Sequence, residues 1–144
     1  MFTTKIEKRD LKYLPHRFFS SYIQEQIQKE YEVRVFYINK RFFSMAIFSQ
    51  NDPQTSVDFR KYNRVKPNRF LPYKLPFEIE KKLTLVMEEI KLNCASIDLI
   101  KSINGRYYFL EINPVGQFGM VDFPCNYGLH KIVAEELIDM DTKK

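Results

Sequence analysis

The dipeptide Asn104-Gly105 constrains this chain more than any other feature. It sits between two alternating runs, ASIDLIKSI and RYYFLEIN. Asn-Gly in that setting is the strongest short-range signal for a β-hairpin, because the tight turn that suits twisted strands needs positive φ at both central residues. A two-residue turn pairs Ile103 with Arg106, Asp98 with Glu111 and Ser96 with Asn113. Side chains alternate faces along a strand. Ser96, Asp98, Glu111 and Asn113 therefore share one face, while Ile97, Leu99, Tyr108, Leu110 and Ile112 form a nearly all-apolar core side.

Directly opposed residues on paired strands have Cβ atoms roughly 4.5–5.5 Å apart, and like charges there are destabilising. Two carboxylates and a carboxamide at that spacing suit a hard divalent cation, since Mg²⁺ takes oxygen ligands, often one or two carboxylates plus substrate phosphates. A solvated face screened by neighbouring Lys and Arg is the alternative, and a one-residue slip in register would break the set. The strand leaves through EINPVGQFG. Pro114 cannot donate a ladder hydrogen bond, and Gly116 and Gly119 permit a tight exit loop.

A second hairpin is legible upstream. YEVRVFYI and RFFSMAIFS flank Asn39-Lys40, and their β-branched and aromatic residues favour strands. A two-residue turn pairs Ile38 with Arg41, Arg34 with Met45 and Glu32 with Ile47. One face then carries Glu32, Arg34, Phe36, Phe43 and Met45, and two charges inside an apolar face are unusual for a merely structural strand.

Residues 1–17 are polar and basic and are expected to form a connector. Residues 18–29, FFSSYIQEQIQK, suit either a strand or a helix, and a strand running into a loop is expected. Residues 50–76 hold four of the seven prolines and read as a long connection containing TSVDFRKYN. Loops this long in compact domains are usually functional or disordered. Ile79, Leu83, Val86 and Ile90 recur at helical spacing, so 77–91 is expected to be a helix, with Pro76 at its start and Glu78 and Glu80 at its positive end. Residues 125–140 read as a terminal helix burying Leu129, Ile132, Val133 and Leu137. His16 and His130 are lone histidines, read as surface or helix residues.

Composition narrows the functional classes. The chain has 144 residues, 44% hydrophobic and 15% aromatic. That is one domain's length with enough apolar residues for a core. No apolar run approaches the ~20 residues of a membrane span, and the charged N-terminus lacks a signal core. Cys94 and Cys125 form no CxxC or Cys/His cluster, so a reduced, cytoplasmic setting is expected. The net charge of +5 comes from Lys and Arg scattered among Asp and Glu, which disfavours nucleic acid as a partner. Only four glycines occur, none before Gly105. A phosphate-binding loop of GxGxxG or GxxxxGK[ST] type is therefore excluded. Any nucleotide must be held by side chains, metal ions or another segment.

SIDLI followed by FLEINPVGQFG resembles the C-terminal metal-binding motif of ATP-grasp ligases, with an Asp on one strand and Glu-x-Asn on the next. EVRVFYI and IQEQIQK lie upstream in the right order. With VDFRKYN and EINPVGQFGM…PCNY, the wording is most similar to the graspetide peptide maturases, in particular the grasp-with-spasm group. The resemblance covers roughly residues 18–138. It implies an α+β C-terminal ATP-grasp subdomain over 18–144, a mostly antiparallel sheet with two main helices on one face. It implies ATP and Mg²⁺ as cofactors, with Asp98, Glu111 and Asn113 as metal ligands. Gln24, Glu25, Gln26 and Ile27 match the adenine hinge, and Glu32 the position near the ribose. Arg34 and Arg60 match basic residues that contact phosphates or the acyl phosphate, and Gln117 and Phe118 would line the acceptor side.

For Arg34 the alternative is a cross-strand ion pair, and for Arg60 a solvated loop charge. The implied reaction activates an Asp or Glu side chain of a ribosomal precursor peptide and ends in an ester or amide crosslink. The chain shows neither the N-terminal domain nor the phosphate-loop subdomain of such enzymes, so a partial enzyme is expected. The precursor peptide, the missing domains and a second copy are its expected partners. A non-catalytic remnant that grips a peptide or protein is the rival reading.

Overall fold

A computed structural model describes residues 2–17 and 19–142. Five strands form one antiparallel sheet: β1 Lys29–Ile38, β2 Arg41–Phe48, β3 Arg69–Tyr73, β4 Cys94–Ser102 and β5 Tyr107–Asn113, in the order β3-β2-β1-β4-β5. Three α-helices complete the fold: α1 Phe77–Glu89, α2 Gly119–Cys125 and α3 Leu129–Thr142. No helix of the described residues is long and apolar enough to cross a membrane.

The first hairpin has the expected register, with Ile38 opposite Arg41 and Glu32 opposite Ile47. Its turn has φ of 44° at Asn39 and 64° at Lys40, as a tight hairpin turn demands. In the second hairpin the expected two-residue turn is replaced by a three-residue loop. Ser102 N–H donates to Arg106 O at 2.9 Å, and Gly105 takes the left-handed conformation at φ +84°. This shifts the pairing by one residue, so Lys101 lies opposite Tyr107 and Leu99 opposite Phe109. A β-bulge at Leu110 then inserts one unpaired residue and restores Asp98 opposite Glu111 and Ser96 opposite Asn113. Tyr107 and Phe109, rather than Tyr108 and Leu110, consequently oppose the apolar side of β4, and Tyr107 packs on that side's core.

Both faces of the sheet are covered. Val33, Val35, Tyr37, Ala95, Ile97 and Leu99 pack beneath Leu83 and Met87 of α1. On the opposite face, Phe36, Ile38, Met45 and Ile47 pack against Val121 of α2 and Leu129 of α3. The helices are therefore on two faces, not one. The expected terminal helix also begins later, because Asn126 breaks it at φ 52° and Gly128 follows at φ +69°. Asp122 accepts the Leu129 amide at 2.9 Å and contacts His130 Nδ1 at 2.7 Å, closing the start of α3.

Two sequence expectations fail for reasons of tertiary pairing. Residues 19–28 form no strand; ordered pairing begins only at Lys29. Phe18 and residues 143–144, the ends of the expected subdomain, lie outside the described residues. Residues 50–76 are not wholly a connection, since Arg69–Tyr73 adds to β2 as a short edge strand. Pro72 is tolerated there because an edge strand needs ladder bonds on only one side.

Candidate phosphate- and metal-facing site

The sheet face that α2 and α3 cover is not wholly apolar. Beside Ile47 and Met45 of β2 it presents Glu32 and Arg34 from β1 and, next to Arg34, Asp98 from β4. Asp98 and Arg34 are direct cross-strand partners, and Arg34 Nη1 lies 2.5 Å from Asp98 Oδ2. Both Glu32 and Arg34 are buried. Glu111 stands opposite Asp98 on the edge strand and is exposed.

Residues 49–68 fold over this face as a compact loop. Buried Thr55 Oγ1 lies 3.0 Å from Ser49 O and 2.9 Å from Asn68 Oδ1. Asp52 accepts from Asn63 Nδ2 at 2.7 Å, and Gln54 Nε2 donates to Lys61 O at 3.0 Å. Phe59 packs into the apolar cluster beneath α2 and α3, which places its neighbours Asp58 and Arg60 at the site. Asp58 is buried and accepts from Arg60 Nε and Nη2, both at 2.8 Å, and from the Thr3 amide at 2.8 Å. Such a paired fork fixes the guanidinium plane.

The charges almost pair off. Lys29 pairs with Glu32, Arg34 with Asp98 and Arg60 with Asp58. Among the described residues, Glu111 is the one carboxylate of this group without an ion-pair partner. Burial pushes Glu32 up to about 7, against the opposing pull of Lys29. Asp98 is also raised, first by burial and then by Glu111, with Arg34 acting the other way. Asp58 resists its own burial, and the Arg60 and backbone hydrogen bonds hold it down at about 2. Arg60 is held charged by Asp58, with further support from Glu111 and Asp98.

Among the described residues, three buried side-chain polar atoms have no protein partner: Glu32 Oε2, Arg34 Nε and Ser96 Oγ. All belong to residues on this one face. Unsatisfied buried groups cost roughly 1–3 kcal/mol each, so these atoms leave hydrogen-bonding capacity on this face for water or a polar ligand. The donor set suits Mg²⁺: two carboxylates and an amide oxygen are hard oxygen ligands. Among the described residues, no group of three or more His, Cys, Asp or Glu side chains comes together, so nitrogen- or sulfur-rich metal sites are not offered. Asn113 Oδ1 already accepts from the Val115 amide at 3.1 Å, which leaves one lone pair for a cation.

The remaining sequence candidates are more dispersed. Gln24, Glu25 and Gln26 are exposed and Ile27 half-buried, in a segment without regular structure that reaches the sheet where Gln28 O accepts from Ile103 N at 3.1 Å. Gln117 is exposed, whereas Phe118 packs on Phe36 with ring centroids 5.5 Å apart. Arg34 forms the cross-strand ion pair that stood as its alternative, and Arg60 is exposed on its loop, as its alternative had it, with its guanidinium held by Asp58. Two residues escaped sequence reasoning. Asp58 lies inside the VDFRKYN motif, and the D-x-R spacing was the available signal. Lys29 had none: residues three apart on a regular strand face opposite ways, and only an irregularity between Lys29 and Tyr31 turns Lys29 onto the Glu32 face.

No protein-family model matches the chain, and no curated protein matches it by sequence. Solved structures do. The macrocyclase MdnC of Microcystis aeruginosa, solved with precursor peptide MdnA, is 34% identical over 78% of this chain and 34% of its own, with a TM-score of 0.65. A RiPP-associated ATP-grasp ligase of Chryseobacterium gregarium, solved with ADP and a leader and core peptide, is 30% identical over 69% of this chain and 30% of its own, at 0.63. The ATP-grasp ligase PsnB, solved with a minimal precursor, Mg and ADP, shares the fold at 0.64 with 19% identity over 81% of this chain and 34% of its own. The chain spans about a third of the length of these proteins. Its sheet and helices thus have the α+β architecture of ATP-grasp ligases, and the chain is similar to the RiPP-associated ligases and macrocyclases of that fold.

Proposed function

We propose that this chain carries the metal- and phosphate-facing part of an ATP-dependent ligase that modifies a precursor peptide. Residues 18–144 would be the C-terminal ATP-grasp subdomain and residues 1–17 its connector. The observation that carries the reading is Asp98 opposite Glu111, with Glu111 in no ion pair among the described residues, on a face where Glu32 Oε2, Arg34 Nε and Ser96 Oγ have no hydrogen-bond partner among them either. The solved neighbours bind precursor peptides, ADP and, for PsnB, Mg.

Asp98, Glu111 and Asn113 would hold Mg²⁺, which when bound supplies positive charge to the ATP phosphates. Arg34 and Arg60 would contact the phosphates or the acyl phosphate. Phosphoryl transfer depends mostly on positioning and charge stabilisation, and a guanidinium offers an always-charged planar fork for phosphate oxygens. Asp58 supports this by fixing Arg60, and Asp98 by fixing Arg34. Residues 24–27 would meet adenine, Glu32 would lie near the ribose, and Gln117 and Phe118 would face the acceptor. In the reaction, an Asp or Glu carboxylate oxygen of the peptide attacks the γ-phosphorus and ADP leaves. A peptide amine or hydroxyl then attacks the acyl carbon, phosphate leaves, and an amide or ester crosslink remains.

Calorimetric titration with a non-hydrolysable ATP analogue, with and without Mg²⁺, tests this. Mg-dependent binding that disappears in Glu111→Ala, in a protein that still folds, is the expected result. No binding in a folded sample defeats it. A second reading, a non-catalytic module that grips a peptide, is favoured by the bare apolar side chains of the 19–28 segment, where Phe19 is 94% and Tyr22 91% exposed. It predicts peptide binding that is indifferent to Mg²⁺ and nucleotide.

A further inference from the structure

Lys29 and Glu32 form a buried ion pair, with side chains only 7% and 11% exposed. The pair owes its existence to a local irregularity. Residues three apart on a regular strand point to opposite faces, and the register shift between Lys29 and Tyr31 brings Lys29 to the face of Glu32. Bulges of this kind recur beside active sites, where they re-aim a side chain. Lys29 Nζ is held a second time, donating to Val57 O at 3.4 Å. Val57 precedes Asp58 in the loop that carries Arg60.

The oxygen that Lys29 engages is Oε1. Oε2 of the same carboxyl is also buried, and among the described residues it has no hydrogen-bond partner. A carboxylate accepts at both oxygens, so Oε2 is the atom left to receive a donor. Burial, Asp58 and Asp98 all oppose ionisation of this carboxyl, and Lys29 is the cation that counters them. Arg34, on the same face, is engaged with Asp98. An ionised carboxyl only accepts, whereas a protonated one can donate. The kind of hydrogen bond that Glu32 offers therefore depends on Lys29.

We propose that Lys29 is a positioning residue that sets sugar specificity through Glu32: it occupies Oε1 and leaves Oε2 as the acceptor for a ribose hydroxyl of the nucleotide. This rests on the reading of Glu32 as ribose-facing given above. Lys29 touches no nucleotide atom itself, and acts through Glu32 alone.

The test uses the full chain in calorimetry, titrated with a non-hydrolysable ATP analogue and with its 2′,3′-dideoxy counterpart, both with Mg²⁺. A hydrogen bond to a charged acceptor is worth about tenfold or more in affinity, so the unaltered chain should prefer the ribose form by at least about tenfold. Lys29→Met should reduce that preference to less than about threefold. In a Glu32→Gln background the same substitution should change it by less than about twofold, because the residue it acts through is gone. The ratio of the two affinities is the readout, since a merely structural loss lowers both alike. Should Lys29→Met not fold, Lys29→Gln, which keeps a donor but no charge, must also lose most of the preference. In nucleotide-free protein, the carboxyl carbon signal of Glu32 followed by NMR against pH should show a midpoint raised further by either substitution. An undiminished ribose preference in the folded variant, or a Glu32 midpoint that does not move, overturns the inference. An unaltered chain that binds both analogues equally keeps the ATP reading and overturns this one, whereas a chain that binds neither defeats both.

Discussion

Glu32 offers a test of how the site's burial is built. In the unfolded chain its carboxyl titrates near 4.5, and in the fold it is pushed up to about 7 by burial. Between these values the folded protein holds a proton that the unfolded chain has released. Stability from this group is therefore full below about 4.5 and declines as pH rises through about 7. The separation corresponds to about 3 kcal/mol at 25 °C, a large share of the ~5–15 kcal/mol that typically holds a domain together. Glu32→Gln replaces the carboxyl with a neutral amide of the same shape and should remove this slope. Urea unfolding of both proteins in EDTA, at steps from pH 5 to pH 8, measures it. The difference between them cancels every other titrating group that they share. The variant should gain on the unaltered protein by about 2.5 kcal/mol across that range, the remainder lying below pH 5. Asp58, held at about 2, loses its contribution only as pH falls below the ordinary carboxylate range, outside the window. Parallel curves from pH 5 to pH 8 would refute the argument that Glu32 sits in a desolvated pocket.

Other consequences are as direct. Lys29→Met leaves the Glu32 carboxylate buried without its cation, a change that costs roughly 3–5 kcal/mol when both partners are buried, and the loss read by urea unfolding should be larger at pH 8 than at pH 5. Lys91 closes α1 in the left-handed conformation at φ 56°, where glycine carries no Cβ penalty, so Lys91→Gly should stabilise by roughly 0.5–1 kcal/mol and raise the thermal midpoint by a few degrees. Asp58→Asn should leave Arg60 in place but loosen its fork, lowering affinity for the Mg-ATP analogue in calorimetry about as much as Arg60→Ala does, since one acts through the other. Gly116→Ala should destabilise by roughly 1–2 kcal/mol, because it combines positive φ with the approach to Phe36, and differential scanning calorimetry will show it.

Much of the sheet was legible because hairpin signals are local. The Asn39-Lys40 turn and the alternation on either side determine the β1–β2 register with no help from elsewhere. The carboxylate pair was reached through two departures that cancel. The three-residue loop moves β5 by one residue, and the bulge at Leu110 moves it back before Glu111. Had only one occurred, Asp98 would face a different side chain. The apolar face assignment, which lies between the two departures, was displaced for the same reason: Tyr107 packs where Tyr108 was expected. The edge strand β3 was hidden by its prolines and basic residues, which argue against a central strand but not against an edge.

By itself, the sequence determined the first hairpin with its register, the existence of the second, the α1 helix and the absence of a glycine-rich phosphate loop. These follow from turn chemistry and side-chain periodicity, which act over a few residues. Tertiary structure alone decided which charges meet. Lys29 reaches Glu32 through a strand irregularity, Arg34 finds Asp98 across 64 positions of chain, and Arg60 arrives because Phe59 anchors its loop in a core built by α2 and α3. Burial then moves Glu32 and Asp98 away from their ordinary titration range, and burial is a property of what packs above a residue, which no local pattern records.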